Sequence, residues 1–218
     1  MTTTTSITTI AVLGSGRVGG TLARGLAAAG HPVTIGVRDP ESARPDWEGT
    51  GIDVVDVATA IRTAAVVVNA TPGDTTLERM TALRAGLAGR ILLDVSNATT
   101  RTADGFPGGL AYVEGSLGER LQAALPETRV VKSLNTMLFS VMTAPAALDT
   151  PPTAFVSGDD AAAKATVGDL LRSLGWQNGW IVDLGSIATA SGPESMALMV
   201  PSLLGAIGFA PFALSVAR

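Results

Sequence analysis

Short unbroken apolar runs alternate along the chain with Ala- and Leu-rich stretches of helical character. The runs fall at 8–13, 33–37, 52–55, 65–70, 91–95 and 130–133, then at 153–157 and 180–183. Their near-continuous apolarity suits strands covered on both faces, as in a parallel sheet. Helical patterns occupy 19–29, 57–61, 75–87, 118–125 and 160–174, and an apolar helical region runs from Gly192 onward. Ser116 and Glu119 stand at capping-box spacing, which marks a helix start. Strand and helix in alternation predict βαβ units and an α/β fold with a doubly wound, mostly parallel sheet. A short C-terminal helical region completes it, with no repeat or low-complexity linker dividing the chain.

The first strand runs into a glycine turn, Gly14, Ser15, Gly16, Arg17, Val18, Gly19, and then into a helix. Strand, GxGxxG and helix in that order make a dinucleotide-binding (Rossmann) fingerprint. Gly14 allows the sharp turn, Gly16 lets backbone approach a pyrophosphate, and Gly19 lets the helix lie close on the sheet. The helix start then offers free N–H groups and a positive dipole end to phosphates.

The second strand bears on which dinucleotide. An NAD site commonly carries Asp or Glu about 20 residues past the glycines, on the ribose 2′-OH. Here that strand ends Gly36, Val37, Arg38, with no carboxylate before Asp39. A carboxylate repels a 2′-phosphate, whereas a guanidinium grips one through paired hydrogen bonds. NADP(H) is therefore expected, with Val37 and Arg38 at the phosphate and Ser15, Arg17 and Arg44 as secondary candidates. These assignments place a disordered tail at 1–6, an NADP-binding domain at 7–185 and a C-terminal helical region at 186–218.

Composition narrows the chemistry. Hydrophobic residues make up 46% of the 218, aromatics only 4%, so Ala, Val, Leu and Ile must build the core. The net charge is −4 and no basic run exists, which argues against a nucleic-acid surface. Zero cysteine removes disulfides, thiolate catalysis and Cys-ligated metals, and fits the reducing cytoplasm expected for the protein. Residues 196–217 carry no charge and could span a bilayer by length. Pro201, Gly205, Gly208 and Pro211 interrupt them, however, so a buried helix and a turn, covered by a partner subunit, are expected instead.

Ligands of such sheets sit beyond the carboxyl ends of the strands. Ala70, Thr71 and Pro72 follow the fourth strand, Ser96 and Asn97 the fifth, and Asn135 to Met137 the sixth, while 183–186 follow the last. Small and amide-bearing residues there suit a flat ring approached by backbone, and Pro72 would fix the turn beside a nicotinamide. The single histidine, His31, lies in a turn far from that end. With no cysteine and no second histidine, Ser-His-Asp and Cys-His catalysis are unavailable. No cluster has metal-ligand spacing, so no metal is expected. Lys132 either snorkels or pairs, and Asp94 and Asp183 read as turn caps or buried orienting carboxylates. No catalytic side chain is assigned. What remains is hydride transfer, in which ring cofactors supply the chemistry and protein supplies alignment at ~3–3.5 Å.

With these residues in view, the chain resembles the NADPH-dependent reductases of the deazaflavin coenzyme F420. The resemblance runs through Gly14 to Gly19, Gly36 to Arg38, Asn69 to Pro72, Val130 to Met137, Ser157 to Asp160 and Asp183 to Pro193. It implies that Ser15 and Arg38 hold the 2′-phosphate. It also implies a deazaflavin as co-substrate over the nicotinamide, lined by Asn135, Met137 and the C-terminal helices, where Met196 lies. Family members are commonly homodimers joined through that region. Departures are Val37 where Ser or Thr is common, Ser42 where a second arginine is common, with Arg44 as substitute, and Gly73 where a bulky residue often follows the proline. The motifs also resemble the NADPH-binding modules of ferric reductases and pyrroline-carboxylate reductases. A reductase of a small carbonyl, imine, metal or flavin acceptor is thus an alternative. Such metabolite enzymes commonly add a long helical substrate domain, whereas only residues 184–218 follow Asp183 here. The other alternative is a non-catalytic NADP(H)-sensing module.

Overall fold

A computed structural model describes residues 7–217; the tail expected at 1–6 lies outside the described residues. The strands are β1 (Ile10–Leu13), β2 (Val33–Val37), β3 (Asp53–Asp56), β4 (Val66–Asn69), β5 (Ile91–Asp94), β6 (Thr99–Arg101), β7 (Pro107–Leu110), β8 (Arg129–Ser133), β9 (Ala154–Gly158) and β10 (Ile181–Gly185). The helices are α1 (Arg17–Ala28), α2 (Pro40–Ala43), α3 (Val57–Thr63), α4 (Gly73–Ala82), α5 (Arg84–Leu87), α6 (Leu117–Ala124), α7 (Ala161–Ser173), α8 (Ser191–Ser195) and α9 (Val200–Ile207).

The large sheet has the order β10-β9-β8-β5-β4-β1-β2-β3. Side chains alternate across it. Ile10, Val12, Val66, Val68, Ile91 and Leu93 meet Leu22 and Leu26 of α1 and Leu170 and Leu171 of α7 on one face. Ala11, Leu13, Val67 and Leu92 meet Ile61 of α3, Met80 of α4 and Leu121 of α6 on the other. Burial on both faces is why these strands read as apolar runs rather than alternating ones. From β1 the chain winds to β2 and β3 on one side, then crosses to β4 and β5 on the other. The strand order reverses between β1 and β4, and sheets of this kind hold ligands in the crevice outside the carboxyl ends of the strands at such a switch point.

Several expectations are corrected. The helix expected at 75–87 starts at Gly73 and breaks at Leu83 into α4 and α5. A small antiparallel hairpin, β6–β7, occupies a stretch with no strand pattern in the sequence. Most consequential, β9 pairs antiparallel with β8, and β10 follows β9 in parallel. A parallel neighbour needs a crossover helix. Residues 134–153 supply only two short 3-10 turns, Phe139–Val141 and Pro145–Ala147, so the chain turns back at the same edge. The carboxyl ends of β9 and β10 therefore head away from the crevice, and 183–186 drop out of the ligand edge. Asp183 is an exposed partner of Lys164 instead, at 2.8 Å.

The C-terminal stretch is not one continuous helix. It breaks into α8, a 3-10 turn at Met196–Met199, and α9, none of whose residues is buried. Past Gly208 (φ 75) the chain returns extended, with Ala213 bridging Met137 and Thr153 donating its N–H to the Leu214 carbonyl. No helix of the described residues is long and apolar enough to cross a membrane.

Candidate functional site

The glycines of the first turn divide into those that build the fold and one that leaves a space. Gly14 takes φ 102, and a Cβ there would lie 2.8 Å from the Ala70 carbonyl oxygen, so the turns after β1 and β4 touch. A Cβ at Gly19 would run into the carbonyl oxygen of Gly14, which seats α1 on the sheet. Gly16 differs. It has ordinary extended backbone (φ −70, ψ −172), caps the helix N-terminus and faces nothing within 4 Å. No side chain caps α1 and its first turn carries no acid. The dipole end and the leading N–H groups are thus presented to open space, the arrangement that takes a phosphate. Ser15 and Arg17 are exposed beside it and Val18 is half-buried. The Arg17 guanidinium lies 5.7 Å from the Phe139 ring, toward the loop after β8.

At the end of β2, Val37 is half-buried and Arg38 is exposed. Among the described residues nothing bonds the Arg38 guanidinium. Its neighbour Asp39 does not compete, because its carboxylate accepts the Ser42 N–H at 3.2 Å and caps α2. Arg44 is differently placed, held by Glu41 at 2.8 Å on the surface. Exposed pairs of this kind contribute about 0–1 kcal/mol, so Arg44 is cheaply released.

Beyond β4 and β5 a buried polar network shapes the loops. The Asn69 amide donates to Asp94 at 2.7 Å and to Thr76 at 3.2 Å, while its carbonyl oxygen accepts the Thr71 hydroxyl at 2.7 Å. Asp94 also accepts the N–H and hydroxyl of Ser96, at 3.2 and 2.8 Å. Ala70, Thr71 and Pro72 are thereby fixed opposite Ser96 and Asn97. Gly73 has a packing reason: a Cβ there would run into the Asn97 carbonyl oxygen. The chain leaves β8 through Leu134, the single non-glycine residue with positive φ (60) among those described. That conformation costs roughly 1–2 kcal/mol. Next to it, Asn135 donates to the Asn97 side-chain oxygen at 2.9 Å, and Asn97 donates back to the Asn135 carbonyl at 2.8 Å.

Beneath these loops lies a buried charge cluster. Lys132 is 1% exposed and reaches Asp94 at 2.6 Å, Glu194 at 2.9 Å and the Ser96 carbonyl at 2.5 Å. Burial alone would lower the Lys132 pKa, but the two carboxylates outweigh it and hold the pKa above its usual value. Glu194 in turn accepts the N–H groups of Leu117 and Gly118 at the start of α6, at 2.8 and 3.0 Å. Removing one partner from such a cluster costs about 3–5 kcal/mol. Lys132 therefore pairs rather than snorkels, and Asp94 both caps its turn and holds the cluster.

The structure thus gathers Gly14, Gly16, Gly19, Ala70, Thr71, Pro72, Ser96, Asn97 and Asn135 around one crevice, with Arg38 at its β2 side. Met137 is covered, 9% exposed, under the returning C-terminal segment. Met196 is half-buried on the turn before α9. Glu194 went unrecognised in the sequence, since a lone acid ahead of an uncharged stretch carries no pattern. His31 is more than a turn residue: its Nδ1 accepts the Thr8 N–H at 3.2 Å and its Nε2 meets Ser173 Oγ at 3.0 Å. No group of residues able to hold a metal ion occurs among those described.

Comparisons with known proteins give the family. Residues 9–98 match the family described as NADP oxidoreductase, coenzyme F420-dependent. A crystal structure of a candidate F420-dependent NADP-reductase from Arthrobacter sp. FB24 is 42% identical, with TM-score 0.89, over 97% of this chain and 100% of that one. A hypothetical protein of Sinorhizobium meliloti is 28% identical, with TM-score 0.69, over 84% of this chain and 88% of its own. An imine reductase from Pseudomonas sp. shares the fold at 20% identity and TM-score 0.65, over 92% of this chain and 63% of that one. No curated protein matches.

Proposed function

The chain belongs to the coenzyme F420-dependent NADP oxidoreductase family, and from that premise we propose that it transfers hydride between NADP(H) and the deazaflavin F420. The observation that carries this reading is the chemical character of the crevice. Thr71, Pro72, Ser96, Asn97 and Asn135 offer hydroxyl, amide and apolar surface, the buried Lys132 and Asp94 beneath them are closed on one another, and Arg17 and Arg38 at the edge keep their protons. Such a crevice can bind and align rings but has no free acid or base for them. The bound cofactors supply the hydride chemistry.

The chain's own residues do the holding. The leading N–H groups of α1, with Gly14, Ser15, Gly16 and Val18, take the pyrophosphate. Arg38, unbonded among the described residues, takes the 2′-phosphate beside Val37, with Arg44 recruited from Glu41 and Arg17 lending positive charge. Ala70, Thr71, Pro72, Ser96 and Asn97 bound the nicotinamide end. Asn135 and Met196 border the place of the second ring, with Met137 packed beneath it under the C-terminal segment. Residues 7–185 act as the nucleotide-binding unit and 186–218 as cover and dimer contact. The exposed Leu198, Met199, Ile207 and Phe209 argue for a homodimer, and zero cysteine suits a cytoplasmic setting.

The test is oxidation of NADPH by purified protein with F420, riboflavin and a cyclic imine as rival acceptors. Turnover with F420 far above the others supports the reading. Turnover with the imine alone makes the protein a metabolite reductase, and tight NADPH binding with no acceptor makes it a sensor.

A further inference from the structure

We propose that Lys132 is a positioning residue for the nicotinamide end of the crevice, an inference that rests on the nucleotide reading above. With 1% exposure it cannot touch cofactor or substrate. Its ammonium has three N–H donors, and three acceptors meet them: Asp94, Glu194 and the Ser96 carbonyl. No donor is left over, so the group holds rather than reacts. A buried ammonium needs all three donors met, and the choice of the third acceptor is what couples this cluster to the site. The third bond, at 2.5 Å, goes to a loop carbonyl, and the next residue of that loop, Asn97, is joined to Asn135 by reciprocal bonds. Lys132 thus ties the loop after β5 to the loop after β8, and Glu194 anchors this tie to α6 and the C-terminal region.

Slack in such a tie acts on alignment. A misplacement of about 1 Å at a reacting centre costs on the order of a hundredfold in rate. The experiment compares Lys132→Met with Glu194→Gln, which alters the same buried cluster but leaves the bond from Lys132 to Ser96. Two ligands separate the ends of the site: 2′,5′-ADP reports the phosphate end alone, and NADPH adds the nicotinamide. For Lys132→Met we expect unchanged 2′,5′-ADP affinity, NADPH affinity about tenfold weaker, and kcat with F420 lower by about tenfold to a hundredfold. Glu194→Gln, which loosens the anchor but keeps the bond from Lys132 to Ser96, should lose less than Lys132→Met in both NADPH affinity and kcat. An unchanged NADPH to 2′,5′-ADP affinity ratio in Lys132→Met, or equal losses in both variants, overturns the proposal. If Lys132→Met does not fold, the double variant Lys132→Met/Glu194→Gln, which leaves the Asp94 bonds to Asn69 and Ser96 in place, is judged by the same criteria. Failure of that variant to fold also overturns the positioning role, leaving a structural one. If the native protein binds NADPH but does not reduce F420, the functional reading fails while the affinity ratio still decides this inference.

Discussion

Adding one methyl group at Gly16 separates folding from binding in the glycine turn. Its backbone, φ −70 and ψ −172, is open to any L-residue, and an added Cβ meets nothing within 4 Å. The folded state is therefore unstrained. The unfolded chain loses freedom, which stabilises such Gly→Ala changes by about 0.4–1 kcal/mol. For a chain of this size, about 2–4 °C per kcal/mol, Tm of Gly16→Ala should rise by roughly 1–4 °C. Binding should move the other way. The methyl stands where a phosphate must approach the N-terminus of α1, and loss of a charge-assisted hydrogen bond there costs about 1.5–3 kcal/mol. That is a loss of about tenfold to a hundredfold in NADPH affinity. Gly19→Ala supplies the contrast, because its Cβ collides with the Gly14 carbonyl. Overpacking costs about 1–3 kcal/mol, so its Tm should fall by roughly 2–12 °C. Scanning calorimetry with isothermal titration reads both quantities. A Gly16→Ala protein that binds NADPH as tightly as the native one refutes the placement of the pyrophosphate at α1.

Arg38→Ala should weaken NADPH roughly tenfold, the low end for a charge-assisted bond because the side chain is exposed, and leave NADH unchanged. Rising salt should shrink that difference, and equal losses for the two nucleotides refute the 2′-phosphate assignment. His31 predicts a pH dependence: burial pulls its pKa below 6.5. Below pH 6.5 the unfolded chain takes up a proton that the folded chain refuses, so stability is full above that value and declines as pH falls toward the lowered folded pKa. Melting curves at stepped pH should show this decline in the native protein and less of it in His31→Gln; identical slopes count against the buried neutral ring. Finally, Ile207→Lys at the exposed face of the C-terminal region should convert a dimer to a monomer in analytical ultracentrifugation, and a native protein that is already monomeric removes the dimer from the account.

Much of the fold is written locally. The apolar runs of β1, β4 and β5 and the GxGxxG turn each encode one strand, one turn or one helix start, and each holds within a residue or two. The Ser116 cap behaves likewise, accepting the Glu119 N–H at 3.0 Å. What sequence could not show depends on partners far apart along the chain. The reversal at β9 follows from a connection that lacks a crossover helix, and irregular segments have no periodic signature. Glu194 meets Lys132, Leu117 and Gly118 only after the C-terminal region folds back over α6. Covering of Met137 likewise depends on Ala213, 76 residues on by number. At the site, the residue types at the strand ends were legible, whereas the ties between loops, Asn97 with Asn135 and Lys132 with Ser96, were not.

The measurement that bears most directly on the central claim is the fate of the transferred hydrogen. NADPH deuterated at nicotinamide C4, on the transferred face, is mixed with oxidised F420 and the native protein, and the reduced deazaflavin is examined by mass spectrometry. Direct transfer in a crevice without a free acid or base predicts one deuterium carried to the deazaflavin ring. Reduced deazaflavin holding only solvent hydrogen, or no reduction despite bound NADPH, contradicts the account.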